Sequence, residues 1–371
     1  MEQIKDVAQH FCIEGEILSA ESYGCGHINT TFLVTTDKNK SYILQKINTG
    51  IFVNPGELME NINNVTIYLS NIIKDEGGDP QRGVLHIIPS CEGKLYITIN
   101  DGTWRMFSFV NDSVTLQVIE HPVDFYYAGK AFGKFTRQLD SYPADTLHET
   151  IKNFHNTPSR YNDFEAAVKE NASGKAESVA EEIEFVRERK DFCSLFTDKI
   201  ENNTLPLRVT HNDTKLNNVL FDRKTGKPIA VLDLDTVMPG LSLYDFGDAI
   251  RFGTNPAAED EKDLDKVYCS LELFEAFTRG YLEECGQLLT DEEINMLPYA
   301  GKMMTLECGM RFLADHIAGD VYFRIHRENH NLDRCRTQFK LVKDMEEKEE
   351  QIKEIINRIC SEIKDCRAVK A

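Results

Sequence analysis

The residues with the most chemical content lie close together in the stretch Leu207–Arg251, LRVTHNDTKLNNVLFDRKTGKPIAVLDLDTVMPGLSLYDFGDAIR. An apolar strand at 207–210 leads into the loop HNDTKLNN at 211–218, and a second strand at 219–222 ends in the turn Lys224-Thr225-Gly226-Lys227. A third strand returns over 229–232 to Asp233-Leu234-Asp235. Two antiparallel strands of this length bring Asp213, Asn218 and Asp233 to one end of a hairpin. Two carboxylates and a carboxamide oxygen so gathered suit phosphoryl transfer: Asp213 accepts the proton of an attacking hydroxyl, while Asn218 and Asp233 hold magnesium on the phosphates of ATP.

The spacing sharpens those roles. His-x-Asp with Asn five residues after the Asp, then an apolar strand ending in Asp, is the arrangement of the catalytic loop and metal carboxylate in protein kinases. Asp245-Phe246-Gly247 is a rival metal motif by letter, but it follows Pro239-Gly240 at the start of a helical pattern, where Asp more often caps a helix or braces a loop. Asp235 has three readings: a second metal, a sugar hydroxyl, or the adjacent backbone. His211 in the H-x-D pattern is read as bracing the loop.

Further toward the N-terminus, Tyr23-Gly24-Cys25-Gly26-His27-Ile28-Asn29-Thr30-Thr31 lies between strand patterns. Its glycines and hydroxyls suit close approach of backbone amides to ATP phosphates. In the strand YILQKIN, Lys46 is placed to reach the α- and β-phosphates, with Glu60, or else Glu57, as its pairing acid. Trp104–Val110 reads as the strand into an inter-lobe hinge, where main-chain groups of Phe109 and Val110 hold adenine.

These groups need two kinds of scaffold. Residues 31–36, 41–47, 84–89 and 94–99 are rich in β-branched and aromatic residues and read as strands. One helix interrupts them, with Asn54 as cap, Pro55 at the first position, and Leu58, Ile62, Val65, Leu69 and Ile72 at helical steps. Beyond residue 110 helical patterning dominates, over 124–139, 146–154, 178–196, 265–285, 291–315 and 332–363. The reading is an α+β, two-lobed, protein-kinase-like fold: a small antiparallel β-sheet lobe with one helix over 1–108, and a larger, mainly helical catalytic and substrate lobe over 109–371.

Composition narrows the partners. The chain has 371 residues, 41% hydrophobic and 28% charged, and 42 basic against 61 acidic residues give a net charge of −19. That balance lacks the basic stripe of a nucleic-acid binder. No signal peptide or uncharged apolar stretch of membrane-spanning length is visible. The ten cysteines form no C-x-x-C pair, as in a reducing cytoplasm. A monomer or weak homodimer acting on small molecules is expected, with no membrane partner.

HNDTKLNN followed by DLDTVMPGLSLYDFGDAIR resembles the aminoglycoside phosphotransferase and choline kinase superfamily and, within it, the N-acetylhexosamine 1-kinases. The resemblance is dense over about 45 residues, and the order of elements fits along most of the chain. It implies ATP and Mg2+ as cofactors, Gly24, Gly26, Asn29, Thr30, Thr31 and Lys46 at the nucleotide, and phosphorylation of the C1 hydroxyl of GlcNAc or GalNAc. It also implies that Arg311 and Tyr322 of the segment CGMRFLADHIAGDVYF face the sugar. His27, Asp235 and Thr236 lie nearby in that reading, with Asp213 on the anomeric hydroxyl. An aminoglycoside, choline or another hexose is the alternative acceptor, and a non-catalytic nucleotide-binding module the alternative class.

Overall fold

The computed structural model describes residues 2–24, 28–99 and 102–368. It bears out the α+β expectation, with an antiparallel sheet in one compact unit and mainly helices in another. The sheet unit takes Met1–Thr115, Ser141–Lys152 and Val219–Pro239, and the helical unit takes Leu116–Asp140, Asn153–Asn218 and Gly240–Ala371. Where the sequence suggests a boundary near residue 108, the chain thus returns to the sheet unit twice.

In the sheet unit, α1 (Glu2–Ala8) precedes β1 (Ile17–Ser22), β2 (Thr30–Thr36) and β3 (Ser41–Ile47), and α2 (Pro55–Asp75) leads on to β4 (Ile97–Ile99) and β5 (Gly102–Ser108). The strands order as β1-β2-β3-β5-β4. Alternation decides what each face carries. Val34, Tyr42, Leu44, Trp104 and Met106 form one core with Val7, Ala8 and Phe11 of α1 and its end. Gln45 and Arg105, directly opposite each other on β3 and β5, therefore belong to the other face. There Arg105 Nη1 lies 3.9 Å from Met59 Sδ of α2.

α2 begins as its sequence directs: the Asn54 side chain accepts from Glu57 N and Pro55 sits in the first turn. Leu58, Met59, Ile62 and Val65 are wholly buried, each worth about 1.5–3 kcal/mol over exposure. Residues 84–89, read as a strand, instead make an isolated bridge at Ile87 to Phe107. Residues 146–154, read as helix, run irregularly after the 3-10 turn Ala144–Thr146, and the backbone of His148 is claimed elsewhere. His148 N donates to Asn61 Oδ1 at 2.9 Å and Asn61 Nδ2 donates to His148 O at 2.8 Å.

The hairpin 219–231 also belongs to this unit. Val219 faces Val231 and Leu220 faces Ala230. Asp222 Oδ1 accepts from Lys224 N, Thr225 N and Thr225 Oγ1, and Gly226 takes φ +66°, a left-handed turn position that glycine adopts without strain. β6 (Ser113–Thr115) pairs with the outer side of Val219–Asp222.

The helical unit is built on Pro122–Gln138, Thr157–Glu170, Ser242–Gly253, Leu271–Cys285, Asp291–Ala318, His330–Glu347 and Glu349–Ala368. The first of these and Leu271–Cys285 meet almost backbone to backbone: a Cβ on Gly129 would lie 2.3 Å from Phe277 O, and one on Gly280 2.1 Å from Tyr126 O. Asp291–Ala318 opens with a capping box, Thr290 with Glu293, which fixes its start. The helical pattern over 332–363 resolves into two helices broken at Lys348, whose ammonium donates to Asp344 Oδ2 at 2.7 Å and Cys269 O at 2.9 Å. Among the described residues no helix is long and apolar enough to cross a membrane.

Candidate active site

Asp213 stands in a loop held from beneath. The short strand Arg208–Thr210 ends at His211, which is fully buried, with its ring 5.7 and 5.9 Å from Phe132 and Phe135. Asn212 takes φ +62°, a conformation Asn tolerates better than most residues. Asp213 N donates to His211 Nδ1 at 3.2 Å, so the histidine braces the loop. Asp245 fixes the same turn: its Oδ2 accepts from His211 N at 2.9 Å and its Oδ1 from Asn212 N at 2.7 Å. Thr214 Oγ1 donates to Asp245 O at 2.5 Å, and Thr214 N donates to Asp248 Oδ2 at 3.0 Å. Arg251 closes on Asp248 at 2.8 and 2.9 Å.

The literal Asp-Phe-Gly triplet thereby acquires a packing explanation. Asp245 secures loop amides, and Phe246 is fully buried 5.5–6.1 Å from the rings of Phe274, Phe277 and Tyr281. A Cβ on Gly247 would sit 2.4 Å from Ala300 O, so that glycine lets Ser242–Gly253 lie against Asp291–Ala318. Burial raises the Asp245 carboxyl to about 6, with His211 and the two amide bonds opposing the rise.

At the tip of the loop, Lys215 Nζ lies 2.7 Å from Asp213 Oδ1, and Asn218 Nδ2 donates to Asp213 O at 2.8 Å and Oδ2 at 3.0 Å. Burial would raise the Asp213 carboxyl, but the charge and bond of Lys215, with smaller help from His211 and Asn218, carry it below its ordinary value. An ionised Asp213 accepts hydrogen bonds and orients a hydroxyl, though it is a weak base in the ground state. A second support reaches the loop through His155: Nδ1 is 2.9 Å from Glu307 Oε1 and Nε2 is 3.2 Å from Asn212 O. Thr157 Oγ1 donates to Glu307 Oε2 at 2.6 Å. Burial works against ionisation of Glu307, yet the bonds from His155 and Thr157 hold its carboxyl low.

Arg311 lies in the same unit with its guanidinium 5.7, 5.8 and 5.5 Å from the rings of Phe154, Tyr322 and Phe323. Neither of the acids suited to brace it does so. Asp315 accepts from Val321 N, Tyr322 N, Phe323 N and Asn331 Nδ2, while Asp320 pairs with Lys175 at 3.1 Å. Tyr322 is 59% exposed.

In the sheet unit, Asp233 is exposed at φ +56° and is followed by the 3-10 turn Leu234–Thr236. Asp235 is buried: Arg105 Nη1 lies 2.6 Å from its Oδ1, an ion pair rather than an aligned hydrogen bond. Asn29 Nδ2 donates to its Oδ2 at 2.6 Å. Thr150 Oγ1 donates to Asp235 O at 3.2 Å, and Asn61 Nδ2 to Val237 O at 3.0 Å. Both Asp235 oxygens are thus engaged within the protein, and Thr236 is buried beside it.

The expected nucleotide residues are placed as follows. Gly24 takes φ +77° with open space where a Cβ would be, and Tyr23 meets Phe109 edge to face at 6.0 Å. Asn29 Oδ1 accepts from Asn48 N at 2.9 Å. Thr30 is exposed at the start of β2, and Thr31 Oγ1 accepts from Gln45 Nε2 at 3.1 Å. Phe109 N donates to Ser41 O at 3.1 Å, while Val110 packs with Leu220 and Ala230. Gly26 and His27 lie outside the described residues. Lys46 projects on the Trp104 face, with Nζ 5.8 Å from that ring's centroid, opposite the face of Gln45 and Arg105. Glu60 pairs with His148 at 3.1 Å instead of with Lys46.

A family model described as the phosphotransferase enzyme family matches residues 20–283. The chain belongs to that family. Solved structures share its fold at low identity. An aminopropanol kinase associated with a microcompartment superposes with TM-score 0.63 at 16% identity, over 95% of this chain and 98% of its own. An aminoglycoside phosphotransferase from Alicyclobacillus acidocaldarius gives 0.60 at 11%, over 97% and 96%. An amicoumacin kinase, solved with AMP-PNP and Ca2+, gives 0.59 at 14%, over 94% and 93%.

Sequence reasoning about this phosphotransferase missed Lys215, Arg105, His155 and Glu307. Lys215 had a signal, since it stands two residues after Asp213 in the same loop; the others had none, because their partners lie 57 to 152 residues away in the chain or on a different strand. Among the described residues no three or more His, Cys, Asp or Glu gather as they would to hold a metal ion. Carboxylate and carboxamide oxygens, such as those of Asp233 and Asn218, are hard donors of the kind magnesium prefers.

Proposed function

We propose that this phosphotransferase moves the terminal phosphoryl group of ATP to the anomeric hydroxyl of an N-acetylhexosamine, giving the sugar 1-phosphate and ADP. The observation that carries the reading is the Asp213 carboxylate held ionised between Lys215 and Asn218 on a loop whose amides are fixed by Asp245 and Asp248. Asp213 orients the acceptor hydroxyl and takes its proton as the new P–O bond forms and the bond to ADP breaks. Asn218, with its amide nitrogen bonded to Asp213, offers its carboxamide oxygen to magnesium, and Asp233 offers its carboxylate. Magnesium so bound supplies charge neutralisation on the phosphates.

Gly24, Gly26, Asn29, Thr30 and Thr31 frame the nucleotide phosphates, and main-chain groups about Phe109 and Val110 take the adenine. Lys46 has no part in this scheme because its side chain lies along Trp104; Lys215 supplies the cation nearest the base. For the acceptor, Arg311 and Tyr322 present a guanidinium donor and a phenol beside aromatic faces, which suits a ring bearing neutral hydroxyls. A polycationic acceptor fits poorly there, since Arg311 has no ion-pair partner among the described residues. The test is a phosphorus NMR spectrum of the product formed from ATP and a mixture of N-acetylhexosamines, hexoses, amino alcohols and aminoglycosides. An anomeric phosphate on an N-acetylhexosamine is expected; phosphate on any other acceptor or hydroxyl overturns the assignment.

A further inference from the structure

The sheet unit contains an ion pair that the phosphoryl-transfer scheme leaves unused. Arg105, 1% exposed, is the largest wholly buried side chain among the described residues, and Asp235 is 4% exposed. A buried guanidinium and carboxylate persist only when each meets the other and the remaining polar atoms find partners. Here Arg105 Nε donates to Gln45 Oε1 at 3.0 Å, Gln45 Nε2 donates to Thr31 Oγ1, and Asn29 Nδ2 donates to the second oxygen of Asp235. The network therefore joins three pieces: β3 and β5, the loop end at Asn29–Thr31, and the turn that begins at Asp233.

That turn needs external support. Asp233 has a left-handed backbone at φ +56°, a conformation most side chains disfavour and which surrounding contacts must impose. Its support comes two residues later, where Asp235 is gripped through both oxygens and its carbonyl, with Asn61 holding Val237 O. Asn29 itself accepts from Asn48 N and donates to Asp235, which links the loop end to the turn.

We propose that Arg105 and Asp235 are positioning residues: the buried pair sets the backbone that presents Asp233 and ties to it Asn29 and, through Gln45, Thr31, so that the metal carboxylate and these two residues proposed to frame the nucleotide are held in one arrangement. The inference rests on the assignment of Asp233 as a magnesium ligand. It predicts that weakening the pair raises the magnesium concentration needed for ATP binding, whereas a merely structural pair lowers the fraction of active protein and leaves that concentration unchanged.

The experiment is calorimetric ATP binding across a magnesium titration, with melting temperature in parallel, on the full chain and on Arg105→Lys, Arg105→Met, Asn29→Ala and Asp233→Asn. Arg105→Lys keeps the charge on Asp235 but loses the forked geometry, and Asn29→Ala cuts the link to the loop without burying an unpaired charge. Each is expected to raise the magnesium midpoint about tenfold, which corresponds to about 1.4 kcal/mol, with binding stoichiometry retained. Arg105→Met is expected to exceed both, and Arg105→Lys to recover part of what it loses. Should Arg105→Met not fold, the two milder variants decide. A shifted midpoint in Asp233→Asn with unshifted midpoints in Arg105→Lys and Asn29→Ala overturns the positioning role alone. An unshifted midpoint in Asp233→Asn overturns the metal assignment beneath it.

Discussion

Asp245→Asn is the most discriminating test of how the catalytic loop is held. The carboxylate accepts the amides of His211 and Asn212, which are themselves 0% and 4% exposed. Its pKa rises from 3.8 to about 6, with burial the largest cause. Two units correspond to about 3 kcal/mol. The sign is that of a carboxyl whose folded pKa exceeds its unfolded one: the native state binds the extra proton, so stability from this group is complete below pH 3.8 and is lost as pH rises through about 6. At pH 4.5 about 2 kcal/mol of it remains, and at pH 7.5 almost none.

Asparagine has no such proton and leaves one buried N–H without an acceptor, a loss of about 1–3 kcal/mol at either pH. Urea unfolding of both proteins, followed by circular dichroism, should therefore show a variant less stable than the native chain by about 1–3 kcal/mol at pH 7.5. At pH 4.5 it should be relatively weaker by about a further 2 kcal/mol. Stability differences that agree within about 0.5 kcal/mol at the two pH values would refute the reasoning, because they would mean that Asp245 is not desolvated against the loop amides.

Asp213→Ala should lower kcat by about 10²–10⁴ with ATP affinity near native; a rate above about a tenth of native, measured by coupled ADP release, would identify a different base. Lys215→Met removes the charge that lowers the Asp213 carboxyl, so the acidic limb of kcat/KM against pH should move to higher pH; an unmoved limb would show that Lys215 does not hold Asp213 ionised. Arg311→Ala should raise the KM for sugar about tenfold or more, with ATP affinity unchanged in calorimetry. An unaltered sugar KM would make the aromatic box a packing feature.

Several elements of this protein follow from sequence because their causes are local. Asn54 and Pro55 announce α2, Asp222 and Gly226 announce the hairpin turn, and Asp213 with Asn218 five residues on announces the loop. Local polarity misled where a distant side chain claims the backbone: residues 146–154 carry a helical pattern, but Asn61 takes the backbone N–H and C=O of His148 and fixes the segment as a strap.

Sequence alone determined the chemical inventory: two carboxylates and a carboxamide at kinase spacing, and helical and strand periodicities enough for an α+β chain. Tertiary structure decided which face of β3 carries a functional group, because a register in which Gln45 faces Arg105 and Lys46 faces Trp104 comes from pairing with β5, 60 residues away. It also decided that Asp245 serves the loop and Asp235 serves Arg105. A buried carboxylate must find donors wherever the fold supplies them, and those donors are set by packing that no stretch of neighbouring residues encodes.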